Sequence, residues 1–279
     1  MKVVDLEFTP IFIPYKKPYY WAQGITEGAQ LILVKLITDK GIEGYGESIA
    51  TPSSNAVLSI LDQAKKLIVG KDIYENEKVF RDVYQYLFQA HGTCSAPRFA
   101  SQVLCGIEIA FWDAKGKELK KPVYQLLGGK QHNALEYFGF AQGETPDEIA
   151  EDAENLAKEG YKVIYVKVGK QNEEEDIEII KKTRQAIGEK RRLRIDPNEH
   201  WPILKMRRLI ERVQKYHIEF IEQPCNAESL IALSHAQLKS PVSIAADQAV
   251  FTAHDAFNIC KINAADMLTL GIHETGGIL

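Results

Sequence analysis

The second half of the chain alternates short apolar segments with amphipathic ones. The apolar segments are rich in Val, Ile and Phe, and each except the last precedes a stretch whose apolar residues recur three and four positions apart. These patterns are typical of strands and helices, respectively. The predicted strands are 136–141, 162–168, 193–196, 218–222, 242–247 and 266–270. The predicted helices are 145–160, 173–187, 204–216, 228–238 and 253–261. Strands that alternate with helices at nearly equal spacing predict a parallel sheet and favour a closed (β/α) barrel over a doubly wound sheet.

The first half of the chain has a different pattern. Its predicted strands, which form an antiparallel meander, are 3–8, 29–38 and 42–47. Between the first two, the Pro-rich and aromatic stretch 14–21 predicts a loop. Apolar residues at helical spacing then run from 54 to about 127. We therefore predict an α+β domain over residues 1–129 and an incomplete (β/α) barrel domain over residues 130–279.

Composition indicates a globular protein and excludes several classes of function. The 34 Lys and Arg against 38 Asp and Glu give a net charge of −4, which argues against nucleic acid as a partner. No apolar run reaches about 18 residues, and Asp5 stands where a secretory signal would be apolar. We expect no membrane association and a cytoplasmic location. The scattered cysteines form no CxxC pair and predict reduced thiols; they are Cys94, Cys105, Cys225 and Cys260.

The strands of the second half end on charged residues. Lys167 closes the second of them, and Asp196, Glu222 and Asp247 close the next three at steps of 26 and 25 residues. Constant spacing places the acids at the same end of neighbouring strands, where a barrel carries its active site. Three converging carboxylates without His or Cys predict a hard cation, most simply magnesium. Each residue taken singly has a structural alternative, a turn or helix cap for an acid and a snorkelling surface position for Lys167.

Five segments in order along the chain carry a further signal. They are 107–129 (IEIAFWDAKGKELKKPVYQLLGG), 194–198 (RIDPN), 220–224 (FIEQP), 244–248 (IAADQ) and 275–277 (TGG). In sequence and spacing they resemble the mandelate racemase / muconate lactonizing enzyme branch of the enolase superfamily, over essentially the whole chain. The resemblance implies an α+β capping domain that precedes a modified TIM barrel.

The resemblance also implies an activity. It identifies Asp196, Glu222 and Asp247 as ligands of Mg²⁺, with Mn²⁺ as the alternative ion, and Lys167 as the general base. The implied reaction removes the proton alpha to a carboxylate of a small organic acid through an enediolate, which a divalent cation stabilises as a Lewis acid. The outcome is dehydration, isomerisation (racemisation or epimerisation) or cycloisomerisation.

Positions 165 and 271 depart from the family pattern. Tyr165 stands where members commonly carry the first lysine of Lys-x-Lys, so it offers Lys167 and the substrate a hydrogen bond but no charge. Gly271 stands where many members carry a second base, which disfavours a two-base racemase and favours one-base elimination of water. His273 is the remaining catalytic candidate in that segment, with a plain loop role as its alternative.

Four further residues are predicted to contact the substrate. By the resemblance, Tyr20, Trp21 and Thr51 lie where family members close over the ligand, and Asn198 follows the first metal ligand. Their aromatic content predicts a partly apolar substrate wall. Packing against the barrel is the alternative role.

The barrel region contains six strands where closure needs eight. We expect the chain to lack the last two units of the family barrel, and the open sheet edge predicts that another chain covers it, as in a homo-oligomer. The alternative function is a non-catalytic metal-binding barrel, inactive through truncation and loss of the partner base.

Overall fold

The computed structural model describes residues 1–89, 97–170, 173–238 and 240–279. The chain begins with a three-stranded sheet in the order β1-β2-β3, formed by β1 (Val3–Trp21), β2 (Gly24–Thr38) and β3 (Glu43–Ile49). The helices that follow it are α1 (Ser54–Ile68), α2 (Asn76–Tyr84), α3 (Pro97–Leu119) and α4 (Val123–Leu126). A 3₁₀ turn at Ile73–Glu75 and a π-helical turn at Gln85–Gln89 flank α2.

The second part of the chain is a six-stranded parallel sheet in the order β4-β5-β6-β7-β8-β9 with a helix between successive strands. Its strands are β4 (Phe138–Ala141), β5 (Val163–Lys167), β6 (Arg192–Asp196), β7 (Ile218–Glu222), β8 (Ser243–Ala246) and β9 (Met267–Leu268). Its helices are α5 (Pro146–Lys158), α6 (Glu173–Ile187), α7 (Ile203–Val213), α8 (Leu230–Gln237) and α9 (Ala253–Lys261). The predicted α/β architecture, an α+β domain followed by a barrel-type parallel sheet, is confirmed.

The predicted loop at residues 14–21 is wrong. Strand β1 continues through it to Trp21. Pro14 and Pro18 are tolerated there because β1 lies at the edge of its sheet, where a residue without an N–H removes no bond from a central ladder. Composition alone could not distinguish this edge strand from a loop.

The residues group into two compact units. One comprises residues 1–13, 29–134 and 270–279, and the other comprises residues 14–28 and 135–269. The tip of the β1–β2 hairpin therefore groups with the parallel sheet, and the last ten residues group with the helices of the first half. Neither assignment was expected from the sequence. The predicted domain boundary at residue 129 stays a prediction.

In the first unit, helix α3 lies directly against strand β3. A Cβ atom at Gly46 would lie 2.0 Å from the backbone oxygen of Gly106, and one at Gly44 would lie 2.1 Å from that of Ala110. The hydroxyl of Ser48 completes the contact by donating to the Val103 carbonyl at 2.8 Å. The helix and strand can approach this closely only because these positions lack side chains.

We expect Gly46→Ala to destabilise the protein by roughly 1–3 kcal/mol, because α3 must move to admit the methyl group. Urea denaturation monitored by circular dichroism measures this change. Ser59→Ala, on the exposed face of α1, is the control and should change stability by less than about 0.5 kcal/mol. Equal midpoints for Gly46→Ala and the wild type would contradict the close approach.

The last residues of the chain are held by α3 within the same unit. The buried Glu108 carboxylate accepts hydrogen bonds from the Trp112 indole at 2.6 Å and from the backbone N–H of Ile278 at 2.7 Å. Gly277 passes so near that a Cβ there would lie 2.0 Å from Glu108 Oε2. Burial raises the pKa of Glu108, and these donors oppose the rise.

Two further expectations concern cysteines and membranes. Cys105, Cys225 and Cys260 are free thiols, and Cys94 lies outside the described residues. Within the part of the chain that the structure describes, no helix is both long and apolar enough to span a bilayer.

Candidate active site

The carboxyl ends of four neighbouring strands carry the predicted lysine and acids. Lys167, Asp196 and Glu222 are the last residues of β5, β6 and β7, and Asp247 directly follows β8. Because these strands are parallel, the four residues lie along the same edge of the sheet. Their exposures are 8, 0, 5 and 8%, so each charged group is largely removed from water. Buried charges of this kind need partners.

Lys167 forms an ion pair with Asp196. The two residues are register partners on β5 and β6, and Lys167 Nζ lies 2.5 Å from Asp196 Oδ2. The other Asp196 oxygen accepts the backbone N–H of Asn198 at 2.7 Å. Burial lowers the pKa of Lys167, but Asp196, Tyr19 and Glu222 together outweigh it and raise that pKa above its usual value. In this state Lys167 is an ammonium ion.

The Tyr165 hydroxyl lies between two of the acids. It is 2.9 Å from Asp196 Oδ2 and 2.7 Å from Glu222 Oε2. A phenol has a single hydrogen and can donate it fully to one acceptor at a time. Burial and the two carboxylates raise the pKa of Tyr165 well above its usual value, so the phenol stays neutral. Asp196 and Glu222 thus both face the Tyr165 hydroxyl, and Asp196 also accepts a hydrogen bond from the Lys167 ammonium.

The candidate ligand atoms are oxygens of the kind that a hard cation prefers. They are the oxygens of three buried carboxylates from neighbouring strands, and the buried Asn198 Oδ1, which has no hydrogen-bond partner among the described residues. Asp196 and Glu222 engage donors of the protein itself, however. In the state described, over residues 1–89, 97–170, 173–238 and 240–279, no group of three or more His, Cys, Asp or Glu is spaced to hold an ion. The Tyr165 hydroxyl lies within hydrogen-bond distance of both Asp196 and Glu222, and the Lys167 ammonium contacts Asp196.

Gln223 is a structural residue of the site that sequence reasoning missed. It is fully buried, and its Oε1 accepts the backbone N–H groups of Asp247 at 3.0 Å and Ala249 at 3.1 Å. Its Nε2 donates to the Cys225 carbonyl at 2.9 Å. One amide side chain thus fixes the turns after β7 and β8 and sets the place of Asp247. The only signal was its position directly after Glu222, which does not specify these bonds.

The residues predicted to contact substrate are distributed over both units. Tyr20 donates its backbone N–H to Gln142 Oε1 at 2.8 Å, and Trp21 ends β1 partly buried. Thr51 is exposed and belongs to the other compact unit. His273 also belongs to that unit, where its side chain is 58% exposed and Nε2 lies 3.9 Å from Glu274 Oε1.

An aromatic cluster surrounds the lysine. The Tyr19 ring packs edge-on against Phe140 at 5.7 Å between centroids, and Phe140 packs against Tyr165 at 4.6 Å. Lys167 Nζ lies 5.6 Å from the centre of the Phe140 ring. The resemblance places Tyr19, together with Tyr20 and Trp21, where family members close over the ligand. Successive side chains of a strand point to opposite faces, so recognising 14–21 as a strand would have separated Tyr19 from Tyr20.

Comparisons with known proteins agree along the whole chain. Residues 8–128 match the family model "Mandelate racemase / muconate lactonizing enzyme, N-terminal domain", and residues 148–279 match "Enolase C-terminal domain-like". The L-Ala-D/L-Glu epimerase of Clostridium acetobutylicum is 30% identical over 286 residues, which cover 100% of this chain and 76% of that protein.

Two solved structures are similar in fold as well as in sequence. The L-Ala-D/L-Glu epimerase from Bacillus subtilis, in a substrate-liganded complex, has a TM-score of 0.89 and 27% identity over 99% of this chain and 76% of its own. The dipeptide epimerase from Enterococcus faecalis, complexed with Mg and the dipeptide L-Leu-L-Tyr, gives the same four values. The chain spans about three quarters of each of these relatives. That it lacks two barrel units stays a prediction.

Proposed function

Since the chain belongs to the mandelate racemase / muconate lactonizing enzyme family of the enolase superfamily, we propose that it removes the proton alpha to a carboxylate of a small organic acid. The chain is an enolase-superfamily enzyme of the lyase or isomerase type, because its named relatives are epimerases, a racemase, a dehydratase and cycloisomerases. The alternative of a non-catalytic barrel finds no support among them.

The observation that carries the proposal is the contact between a buried lysine and a buried acid on adjacent strand ends. Lys167 is the general base, and Asp196, Glu222 and Asp247 are the ligands of Mg²⁺, with Mn²⁺ as the alternative ion. A bound divalent cation supplies a Lewis acid for the negative charge that develops on the substrate carboxylate. The chain's own residues supply the base, orient it and exclude water.

The ion pair links ligand binding to the state of the base. A lysine accepts a proton only when it is neutral, and Asp196 favours the ammonium form of Lys167. When Asp196 turns its oxygens to ligation, Lys167 loses the partner that holds its proton. In this proposal Lys167 is therefore able to accept a proton only when Asp196 is engaged as a metal ligand.

The fate of the substrate depends on a second acid or base. Gly271 has no side chain to act from the position of a second base, and Glu274 Oε2 would lie 2.7 Å from a Cβ placed there. We therefore favour one-base dehydration or cycloisomerisation over two-base racemisation, although the relatives described above are epimerases. Tyr165, two residues before Lys167 on the same strand, is one candidate for the general acid. His273 is the other candidate.

The homo-oligomer and the cytoplasmic location also remain proposals.

The experiment is a deuterium-exchange panel. The protein is incubated in D₂O with Mg²⁺ and a range of 2-hydroxy acids, acid sugars, N-acyl amino acids and dipeptides, and exchange at the alpha carbon is followed by ¹H NMR. We expect Mg²⁺-dependent exchange for at least one compound, and product analysis then distinguishes water loss, inversion and ring closure. If Mg²⁺ binds but no compound exchanges, the non-catalytic alternative is correct.

Removal of the bridging hydroxyl is expected to affect the metal-free protein most. Tyr165→Phe leaves the Asp196 and Glu222 carboxylates close together without their shared donor, which should cost about 1–3 kcal/mol of stability. Saturating Mg²⁺ should recover that loss, because the ion replaces the donor. Thermal denaturation with and without Mg²⁺ measures both effects, with Tyr161→Phe before β5 as the control. A loss of stability that Mg²⁺ does not recover would contradict the assignment of this point as the metal site.

A further inference from the structure

The segment that follows β9 folds back on its own first residues. The backbone N–H groups of Glu274 and Thr275 both donate to the Gly271 carbonyl at 3.0 Å, and that of Gly277 donates to the Ile272 carbonyl at 2.9 Å. The Thr275 hydroxyl also donates to the Gly271 carbonyl, at 3.1 Å. These bonds close the segment into one compact turn, in which Glu274 lies above Gly271.

Helix α3 holds this turn in place within the same compact unit. The Cys105 thiol donates to the Ile272 carbonyl at 3.6 Å, and the buried Glu108 carboxylate accepts the backbone N–H of Ile278 at 2.7 Å. One contact lies on each side of Glu274 along the chain. The backbone of Glu274 is therefore fixed both by the turn itself and by the helix beneath it.

The side chain of Glu274 fills the space that Gly271 leaves empty. A Cβ atom placed at Gly271 would lie 2.7 Å from Glu274 Oε2 and 3.2 Å from both Cδ and Cγ. These distances are shorter than ordinary van der Waals contact, so Glu274 can keep this position only while residue 271 is glycine. The Glu274 side chain is 18% exposed, whereas that of its neighbour His273 is 58% exposed.

The place of Gly271 in the chain gives this carboxyl group a chemical meaning. The backbone N–H of Thr269 donates to the Ala246 carbonyl at 2.7 Å, so sheet hydrogen bonding continues past β9 to within two residues of Gly271. By the resemblance described above, position 271 is where many family members carry a second base. A group able to hold and release a proton is thus present at this position, supplied from three residues further along the chain.

We propose that Glu274 is the general acid of the reaction and replaces the side chain that Gly271 lacks. This inference rests on the proposed function and selects loss of water among its outcomes. The base takes the alpha proton, and the electron pair left behind forms a double bond to the beta carbon. The bond between the beta carbon and its hydroxyl oxygen breaks, and that oxygen takes the Glu274 carboxyl proton and leaves as water. The proton on the base returns to Glu274 through solvent.

The first test is Glu274→Gln, which keeps the size of the side chain and removes its transferable proton. With the beta-hydroxy acid that loses water fastest in the deuterium panel, we expect water loss to fall at least about 100-fold. The substrate recovered should carry deuterium at its alpha carbon, because the base still acts and the intermediate returns to substrate. ¹H NMR in D₂O measures both in one sample. Glu77→Gln, on the exposed surface of α2, is the matched control and should change neither.

Two variants at position 271 test the place of the carboxyl group. Gly271→Ala keeps Glu274 but puts a methyl group where its carboxyl group lies, so it should give the same deuterated substrate with little product. A crystal structure of this variant should show the carboxyl group displaced, which is a measurement independent of activity. Gly271→Asp combined with Glu274→Gln returns a carboxyl group to this space and should recover at least about tenfold of the lost rate.

The outcomes separate this inference from the proposed function. Undiminished water loss in Glu274→Gln, or an equal loss of water elimination and alpha exchange in a folded variant, would overturn the inference while the proposed function holds. Compounds that exchange without losing water in the wild type would do the same. Water loss that fails in His273→Asn but not in Glu274→Gln would assign the acid to His273. If no compound exchanges, the proposed function fails, and this inference fails with it.

Discussion

Replacement of Lys167 by Ala is expected to abolish alpha-proton exchange, with a loss of at least about 10³-fold in kcat. The amine is the only group proposed to take the proton, and Asp196 beside it serves as a ligand. Exchange is measured by ¹H NMR in D₂O with the best compound of the panel. The Ala variant leaves Asp196 buried without its ammonium partner, so folding needs a separate check.

Lys167→Arg supplies that check. Arginine keeps the positive charge beside Asp196 but does not lose its proton in a protein, so this variant should fold, bind Mg²⁺ and remain inactive. The matched control is Lys162→Ala at the opposite end of the same segment, where the side chain is 81% exposed. Wild-type exchange rates in Lys167→Arg would show that another residue is the base.

Glu222→Gln is expected to weaken Mg²⁺ binding by at least about tenfold. The substitution preserves shape and removes one of the anionic ligands that a hard cation requires. Isothermal titration calorimetry measures the affinity in the absence of any substrate, so the result does not depend on the reaction.

Glu219→Gln is the control for this change. Glu219 lies on the same strand and pairs with Arg192 and Arg194 at the strand's other end, so its loss should leave Mg²⁺ affinity unaltered. An unaltered affinity in Glu222→Gln as well would show that the ligands are wrongly assigned. A loss in both variants would point to a general effect of charge on β7.

Much of the fold follows from local sequence. Helices α6 and α9 have the predicted bounds, because their apolar period is clear and α9 begins with a capping box between Thr252 and Asp255. That residues 14–21 form a strand could not be predicted from local sequence. Whether a strand lies at the edge depends on which strands pair across the whole sheet. Pro14 and Pro18 would each remove a ladder hydrogen bond only if this strand were central in its sheet.

The site was predictable in outline and not in its contacts. Constant spacing placed Lys167, Asp196 and Glu222 at one edge, because parallel strands share a direction. The spacing could not reveal that Tyr165 bridges two acids or that Asp196 raises the pKa of Lys167. Those facts depend on side-chain distances of a few ångströms, which no periodicity encodes.

The path of the chain between its two compact units limits how the protein can be recombined. The chain passes from one unit to the other after residues 13, 28, 134 and 269. A chimera spliced at a single point near residue 129 would therefore transplant neither unit whole. It would exchange the hairpin tip that carries Tyr19 while leaving behind Gln142 and Asp152, which hold it. Grafts that aim to change substrate preference would need to move the hairpin tip together with β4 and α5, as one cassette.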